Sequence, residues 1–165
     1  MPTSIIIRPV MVADLPAVRA ALVETWHATY DSIYGREKVR DITTRWHSLV
    51  ALAKQIEGTA TFLLAERGGK VLASSFAKPE DDPGAIKLYR LYVLPGAQRI
   101  GLGRDLMAAT FAPYPAAARH RLEVNPQNVT AIRFYEREGF ARVGEIHDDT
   151  RIGGVDAYIY ERMHS

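Results

Sequence analysis

Leu91-Tyr92-Val93-Leu94-Pro95-Gly96-Ala97-Gln98-Arg99-Ile100-Gly101-Leu102-Gly103 is the stretch on which the reading of this chain turns. A strand from Ile86 to Leu94 stops at Pro95-Gly96 and enters a glycine-bearing loop, and the loop opens directly onto a helix. The start of a helix leaves about four backbone N–H groups unpaired and carries the positive end of the helix dipole. That is anion-binding geometry. Gly101 and Gly103 keep Cβ atoms out of the way of a phosphate, and Arg99 and Arg104 add charge. An ordinary strand-to-helix turn with two convenient glycines fits the same residues. Two familiar phosphate loops are excluded. Gly103 is followed by Arg104-Asp105 rather than Lys-Ser/Thr, and Leu106 stands where a dinucleotide fingerprint needs its third glycine.

Upstream, Ser4 to Arg8 reads as a strand, Asp14 as the N-cap of a helix to about Tyr30, and Arg36 to Ile56 as a second helix. Phe62 to Glu66 and Val71 to Ala77 form a hairpin through Arg67-Gly68-Gly69-Lys70, and Asp81-Asp82-Pro83-Gly84 is a turn. The helix after Gly101 carries Leu102, Leu106 and Ala109 on one face and stops at Pro113 and Pro115. Arg121 to Val124 is a short buried strand. Two closing strands, Ala141 to about His147 and Val155 to Met163, meet near Gly153-Gly154. The order β-α-α-β-β-β-α-β-α-β-β predicts an α/β (α+β) fold, a mixed sheet with helices on its faces.

A second informative run is Asn128-Val129-Thr130-Ala131-Ile132-Arg133-Phe134-Tyr135-Glu136-Arg137-Glu138-Gly139-Phe140. Asn128 caps the helix and Gly139 sits where a terminating glycine belongs. Asn128 and Tyr135 lie about two turns apart, so amide and phenol point the same way. A cap and a core tyrosine account for both residues; an edge phenol is equally able to donate a proton to a leaving group.

Together the two segments resemble the GNAT superfamily of N-acetyltransferases. Gln98 to Gly103 matches that family's Gln/Arg-x-x-Gly-x-Gly/Ala acetyl-CoA loop, and Asn128 to Phe140 is similar to its Asn-x-x-Ala-x-x-Phe-Tyr-x-x-x-Gly-Phe helix. The resemblance implies one domain over residues 1–165, with a mostly antiparallel central sheet of about seven strands splayed between the fourth and fifth. It implies backbone N–H groups from Arg99 to Arg104, Ile100 and Leu102 included, around the acetyl-CoA pyrophosphate. It implies pantetheine paired with Leu91, Tyr92 and Val93, Asn128 on the CoA arm, and Tyr135 protonating the departing thiolate. Many relatives carry a Glu a few residues before the Leu-Tyr-Val strand end, acting as a base through water. Lys87 stands there in this chain. Glu123, Tyr92 and a free amine that needs no base are the remaining routes for the proton. In similar proteins the first helix and the loop after it wall the acceptor pocket, which nominates Trp26, Tyr30 and Tyr34; core packing explains Trp26 as well.

Composition narrows the alternatives. The 165 residues contain no cysteine, which removes disulfides, thiolate metal sites and a cysteine nucleophile. An amine must then attack the thioester directly. Twenty-one Lys+Arg against 19 Asp+Glu gives a net charge of +2 and no basic stripe, against a nucleic-acid partner. No apolar run is long enough for a membrane, and no secretory signal is visible, so a cytoplasmic protein is expected. The five histidines make no close pair, and His147-Asp148-Asp149 reads as a solvated hairpin end, so no metal is expected. The reading is an acetyl-CoA-dependent N-acetyltransferase acting on a primary amine of a small molecule or peptide, with a homodimer as a candidate assembly. A non-catalytic acyl-CoA-binding sensor or interaction module is the alternative, and Lys87 is the residue that favours it.

Overall fold

The computed structural model describes residues 4–82, 84–98, 100–147 and 156–164. The elements are β1 (Ile6–Pro9), α1 (Leu15–Tyr34), α2 (Arg36–Trp46), α3 (Leu49–Gln55), β2 (Thr61–Arg67), β3 (Lys70–Pro79), β4 (Ala85–Val93), α4 (Leu102–Phe111), β5 (Arg119–Val124), α5 (Val129–Arg137), β6 (Ala141–Ile146) and β7 (Ala157–Met163). They build one seven-stranded sheet in the order β1-β2-β3-β4-β5-β7-β6. Every neighbouring pair is antiparallel except β4 with β5. The turn expected at Gly153-Gly154 lies outside the described residues.

Two local expectations need correction. The single helix over Arg36 to Ile56 is two, broken at His47 and restarted by Ser48, whose hydroxyl accepts from Ala51 N at 3.1 Å. Asp14 does not cap α1 with its side chain. Its carboxylate accepts from Met11 N at 2.8 Å and is gripped by Arg8 at 2.8 and 2.9 Å. That charged partner holds the Asp14 carboxyl down at about 2, and a guanidinium outcompetes a neutral helix end for it.

Alternation along β2 divides the interior into two layers. Phe62 and Leu64 pack with Leu15, Val18, Leu22 and Leu52 of α1 and α3. Leu63 and Ala65 pack with Leu102 and Leu106 of α4 on the other face. Met107 and Phe111 of α4 share a further core with Tyr135 and the strand residues Leu88, Leu122 and Tyr160. A buried hydrogen bond of 2.7 Å between Ser75 and Thr110 pins β3 to α4. Among the described residues no helix is long and apolar enough to cross a membrane.

The fourth and fifth strands pair only briefly. Ala85 to Leu88 run beside Arg119 to Leu122, and the register ends there. Beyond it β4 stays bonded to β3 through Val93, and β5 stays bonded to β7 through Val124. The sheet forks.

Because α4 is held to the sheet through Leu106, fully enclosed in the core, Leu106→Ala is expected to cost about 2–5 kcal/mol. Urea denaturation followed by circular dichroism measures it; a loss well under about 1 kcal/mol would show that α4 is anchored elsewhere.

Candidate functional site

On β4 the pairing with β3 jumps from Phe76↔Arg90 to Ala77↔Leu88, so Tyr89 is the extra residue of a β-bulge. The bulge changes which face later side chains occupy. Ile86 and Leu88 point into the α4–α5 core, as do Leu91 and Val93 beyond the bulge. Arg90 and Tyr92 turn instead toward α1, where Tyr92 packs with Trp26 and Tyr30. The bulge sits where β5 departs, so the β4 edge from Tyr89 to Val93 has no strand partner on the forked side. Such an edge presents unpaired N–H and C=O groups to any extended amide chain.

The wide end of the fork meets the loop before α4. Val93 is followed by a tight turn over Pro95–Ala97, and the Gln98 amide donates to the Val93 carbonyl at 3.0 Å. Gly101 takes φ +79° directly before α4, a conformation in which a side chain is strained. A Cβ on Gly103 would touch the Phe134 ring at 3.4 Å, so that glycine lets α4 and α5 approach. Ile100 is exposed, Leu102 is buried, and the exposed Arg104 side chain reaches Glu138 only at 3.7 Å. Arg99 lies outside the described residues. The first turn of α4 thus points unpaired N–H groups at the fork.

Tyrosines line the fork. Asn128 caps α5, accepting from Ala131 N at 3.3 Å, and its amide donates to the Tyr30 hydroxyl at 3.2 Å. Asn125, just past β5, donates to the Tyr34 hydroxyl and accepts from Gln127 N at 2.8 Å. These bonds tie α1 across the fork to the β5–α5 connection. Trp26 stacks beside Tyr30 with ring centres 4.4 Å apart, and Tyr30 stacks on Tyr34 at 5.7 Å. Burial raises the pKa of each central phenol: Tyr92 to about 12, Tyr30 and Tyr135 further still. Each of these three also feels one of the others, Tyr30 from Tyr92, Tyr92 from Tyr135 and Tyr135 from Tyr30. Phenols from α1, β4 and α5 therefore converge.

At the crotch of the fork Lys87 Nζ meets Glu123 Oε2 at 2.8 Å. Leu122 and Val124 face the α4–α5 core, so Glu123 projects on the α1 side, along with Arg90 and Tyr92. The lysine that replaces the expected Glu on β4 holds a carboxylate in place from β5. The structure thus brings Tyr30, Tyr34, Tyr92, Asn128 and Tyr135 to one place, with Glu123 at its inner end. Sequence reading missed Asn125, His47 and Arg90. Asn125 carried a signal, since Asn-Pro after a strand marks a turn whose side chain bonds locally. Arg90 carried none, because nothing in the residues announces a bulge.

Residues 30–156 match the Acetyltransferase (GNAT) domain family, and the chain belongs to that family. It is 38% identical over 90 residues to a mycothiol acetyltransferase of Salinispora tropica, a match covering 50% of this chain and 29% of that protein. It is 37% identical over 84 residues to the Streptomyces avermitilis mycothiol acetyltransferase, covering 50% of this chain and 27% of that one. The chain therefore spans under a third of the length of these curated relatives. Among solved structures, the PaiA N-acetyltransferase of Thermoplasma acidophilum in complex with coenzyme A superposes with a TM-score of 0.82 at 25% identity, over 98% of this chain and 99% of that one. The ribosomal-protein-S18-alanine N-acetyltransferase of Escherichia coli gives 0.71 at 25% identity, over 98% and 95%.

His47, packed against Trp26 and Tyr92, is a stability sensor for this region. Burial, with Arg90 and Arg19 nearby, lowers it from 6.5 to about 3. Below pH 6.5 the unfolded chain takes up a proton that the folded chain refuses, so its contribution is whole above 6.5 and is lost as pH falls toward 3. Urea midpoints should fall from about pH 7 to about pH 4.5, and fall less steeply in His47→Gln. Parallel curves for the two proteins would contradict a buried neutral His47.

Proposed function

We propose that this protein transfers the acetyl group of acetyl-CoA to a primary amine of a small molecule or peptide. The observation that carries the reading is the fork: a free β4 edge ends at a helix start on one side and at a carboxylate on the other. The family to which the chain belongs is an acetyltransferase domain, and one of its solved likenesses holds coenzyme A. The pyrophosphate would lie on the N–H groups of Gly101 to Arg104, with the pantetheine amides along Leu91 to Val93. Acetyl-CoA supplies the activated acyl group. Asn128 and Gln98 border the path of its arm, and Trp26, Tyr30 and Tyr34 wall the acceptor side. No metal is part of this reading.

The chemistry follows from charge. A Lys-like amine, with a pKa near 10.4, is mostly protonated at neutral pH and must lose a proton before attack. Glu123, on the acceptor face, takes that proton through a water, while its Lys87 partner keeps the carboxylate oriented. The amine lone pair then attacks the thioester carbonyl, the nitrogen of the tetrahedral adduct gives its second proton to solvent, the C–S bond breaks, and the thiolate leaves. Tyr135 supplies the proton that the departing thiolate takes up and is reprotonated from solvent. Holding both reactants in the fork supplies much of the rate.

Calorimetric titration with acetyl-CoA, then an acetylation screen over an amine panel, tests the reading. Binding should be competed by 3′-phospho-ADP and weakened in Gly101→Val, which needs a left-handed backbone at that position. Tyr135→Phe should fold, bind acetyl-CoA and lose about tenfold in kcat. Full kcat, in an assay limited by chemistry, returns Tyr135 to core packing. Glu123→Gln should depress kcat/KM near neutrality and remove an ionisation from the acidic limb of the pH profile. An undiminished kcat/KM with a parallel profile assigns the proton to Tyr92 or to a free amine.

A further inference from the structure

Beneath α1, three enclosed polar atoms have no hydrogen-bond partner, His47 Nδ1 and Nε and Nη2 of Arg90, while the Trp26 N–H is turned toward the Tyr92 hydroxyl. They belong to one cluster. The Trp26 and His47 rings are 5.9 Å apart, both stand edge-on to Tyr92 at 6.3 and 6.5 Å, and Arg90 lies two residues before Tyr92 on the same face. Arg90 is only 7% exposed, and its guanidinium lies over the rings of Phe62 and Phe76 at 5.1 and 4.9 Å. Two ring faces return about 1–2 kcal/mol each at best, whereas burying an unpaired cation costs several. Among the described residues no carboxylate pairs with Arg90.

The chemistry of the cluster is one-sided. The indole N–H only donates, the guanidinium only donates, and the imidazole takes whichever role its tautomer allows. What is missing is an acceptor with several lone pairs and one negative charge. His47 is held neutral by burial, so the cluster offers one positive charge, which suits a carboxylate better than a doubly charged phosphate. The bulge at Tyr89 places Arg90 where the fork opens, on the same face as Glu123.

Resting on the acetyltransferase reading above, we propose that the acceptor amine carries a carboxylate, as an amino acid does, and that Arg90 receives it. The amine then faces Glu123 while the carboxylate is seated under α1.

Matched acceptors test this: phenylalanine against 2-phenylethylamine, and lysine against 1,5-diaminopentane, with thiol release from acetyl-CoA as the readout. The wild type should favour the carboxylate-bearing member by about tenfold or more in kcat/KM. Arg90→Met, of similar length and without charge, should bring that ratio toward one through KM. Acetyl-CoA affinity by calorimetry and the melting temperature show whether the variant is folded. A separate arm uses 3-phenylpropionate, an acid without the amine, which should raise the melting temperature of the wild type and not of Arg90→Met. Equal use of both members by the wild type, or a ratio unchanged in Arg90→Met, overturns the proposal and leaves the cluster to buried water. Turnover of neither member, with 3-phenylpropionate still bound through Arg90, overturns the transferase reading and keeps the carboxylate site.

Discussion

Everything distinctive about this molecule depends on β4 and β5 parting after Leu88 and Leu122. Four paired residues hold the two halves of the sheet together, and then hydrogen bonding between them stops. Open strand edges in a protein interior are costly unless their polar groups find partners. The chain keeps the fork open from three sides. Tyr30 and Tyr34 of α1 tie to Asn128 and Asn125 beyond β5, Lys87 and Glu123 close the crotch, and the Gln98 amide covers the Val93 carbonyl at the mouth. None of these contacts joins neighbours in sequence, apart from the Gln98 bond within its own loop.

The bulge and the fork act together. One extra residue at Tyr89 shifts the following side chains by one position, so Leu91 and Val93 stay with α4 while Arg90 and Tyr92 turn to α1. An unbulged strand would put Arg90 on the face of Leu88, among Met107, Phe111 and Leu122. The chain would then have an unpaired cation in that apolar layer. The bulge moves that cation beside His47, Trp26 and Tyr92, on the face where Glu123 also projects.

Much of this architecture is legible in the residues, and the failures have physical causes. The strand, loop and helix from Leu91 to Gly103 and the capped helix from Asn128 to Gly139 announce themselves through proline, glycine and Asn at positions with strict backbone needs. Lys87 reads as a departure from the family pattern, yet its meaning appears only when β5 brings Glu123 to it. The break at His47 escapes periodicity because apolar spacing continues through it from Ile42 to Leu52. Asp14 sits where a cap belongs, but Arg8 takes its carboxylate. Propensity and period describe what a segment prefers alone; long-range charge pairs and bulges are decided by what arrives beside it.

The central claim is that acetyl-CoA fills the fork as a substitute strand, with its phosphates on the start of α4. Hydrogen exchange read by mass spectrometry, with and without acetyl-CoA, addresses it directly. Slowed exchange concentrated in segments 89–93 and 101–105 is the predicted result. Protection elsewhere on the chain with those two segments unchanged, at saturating acetyl-CoA, would contradict the account.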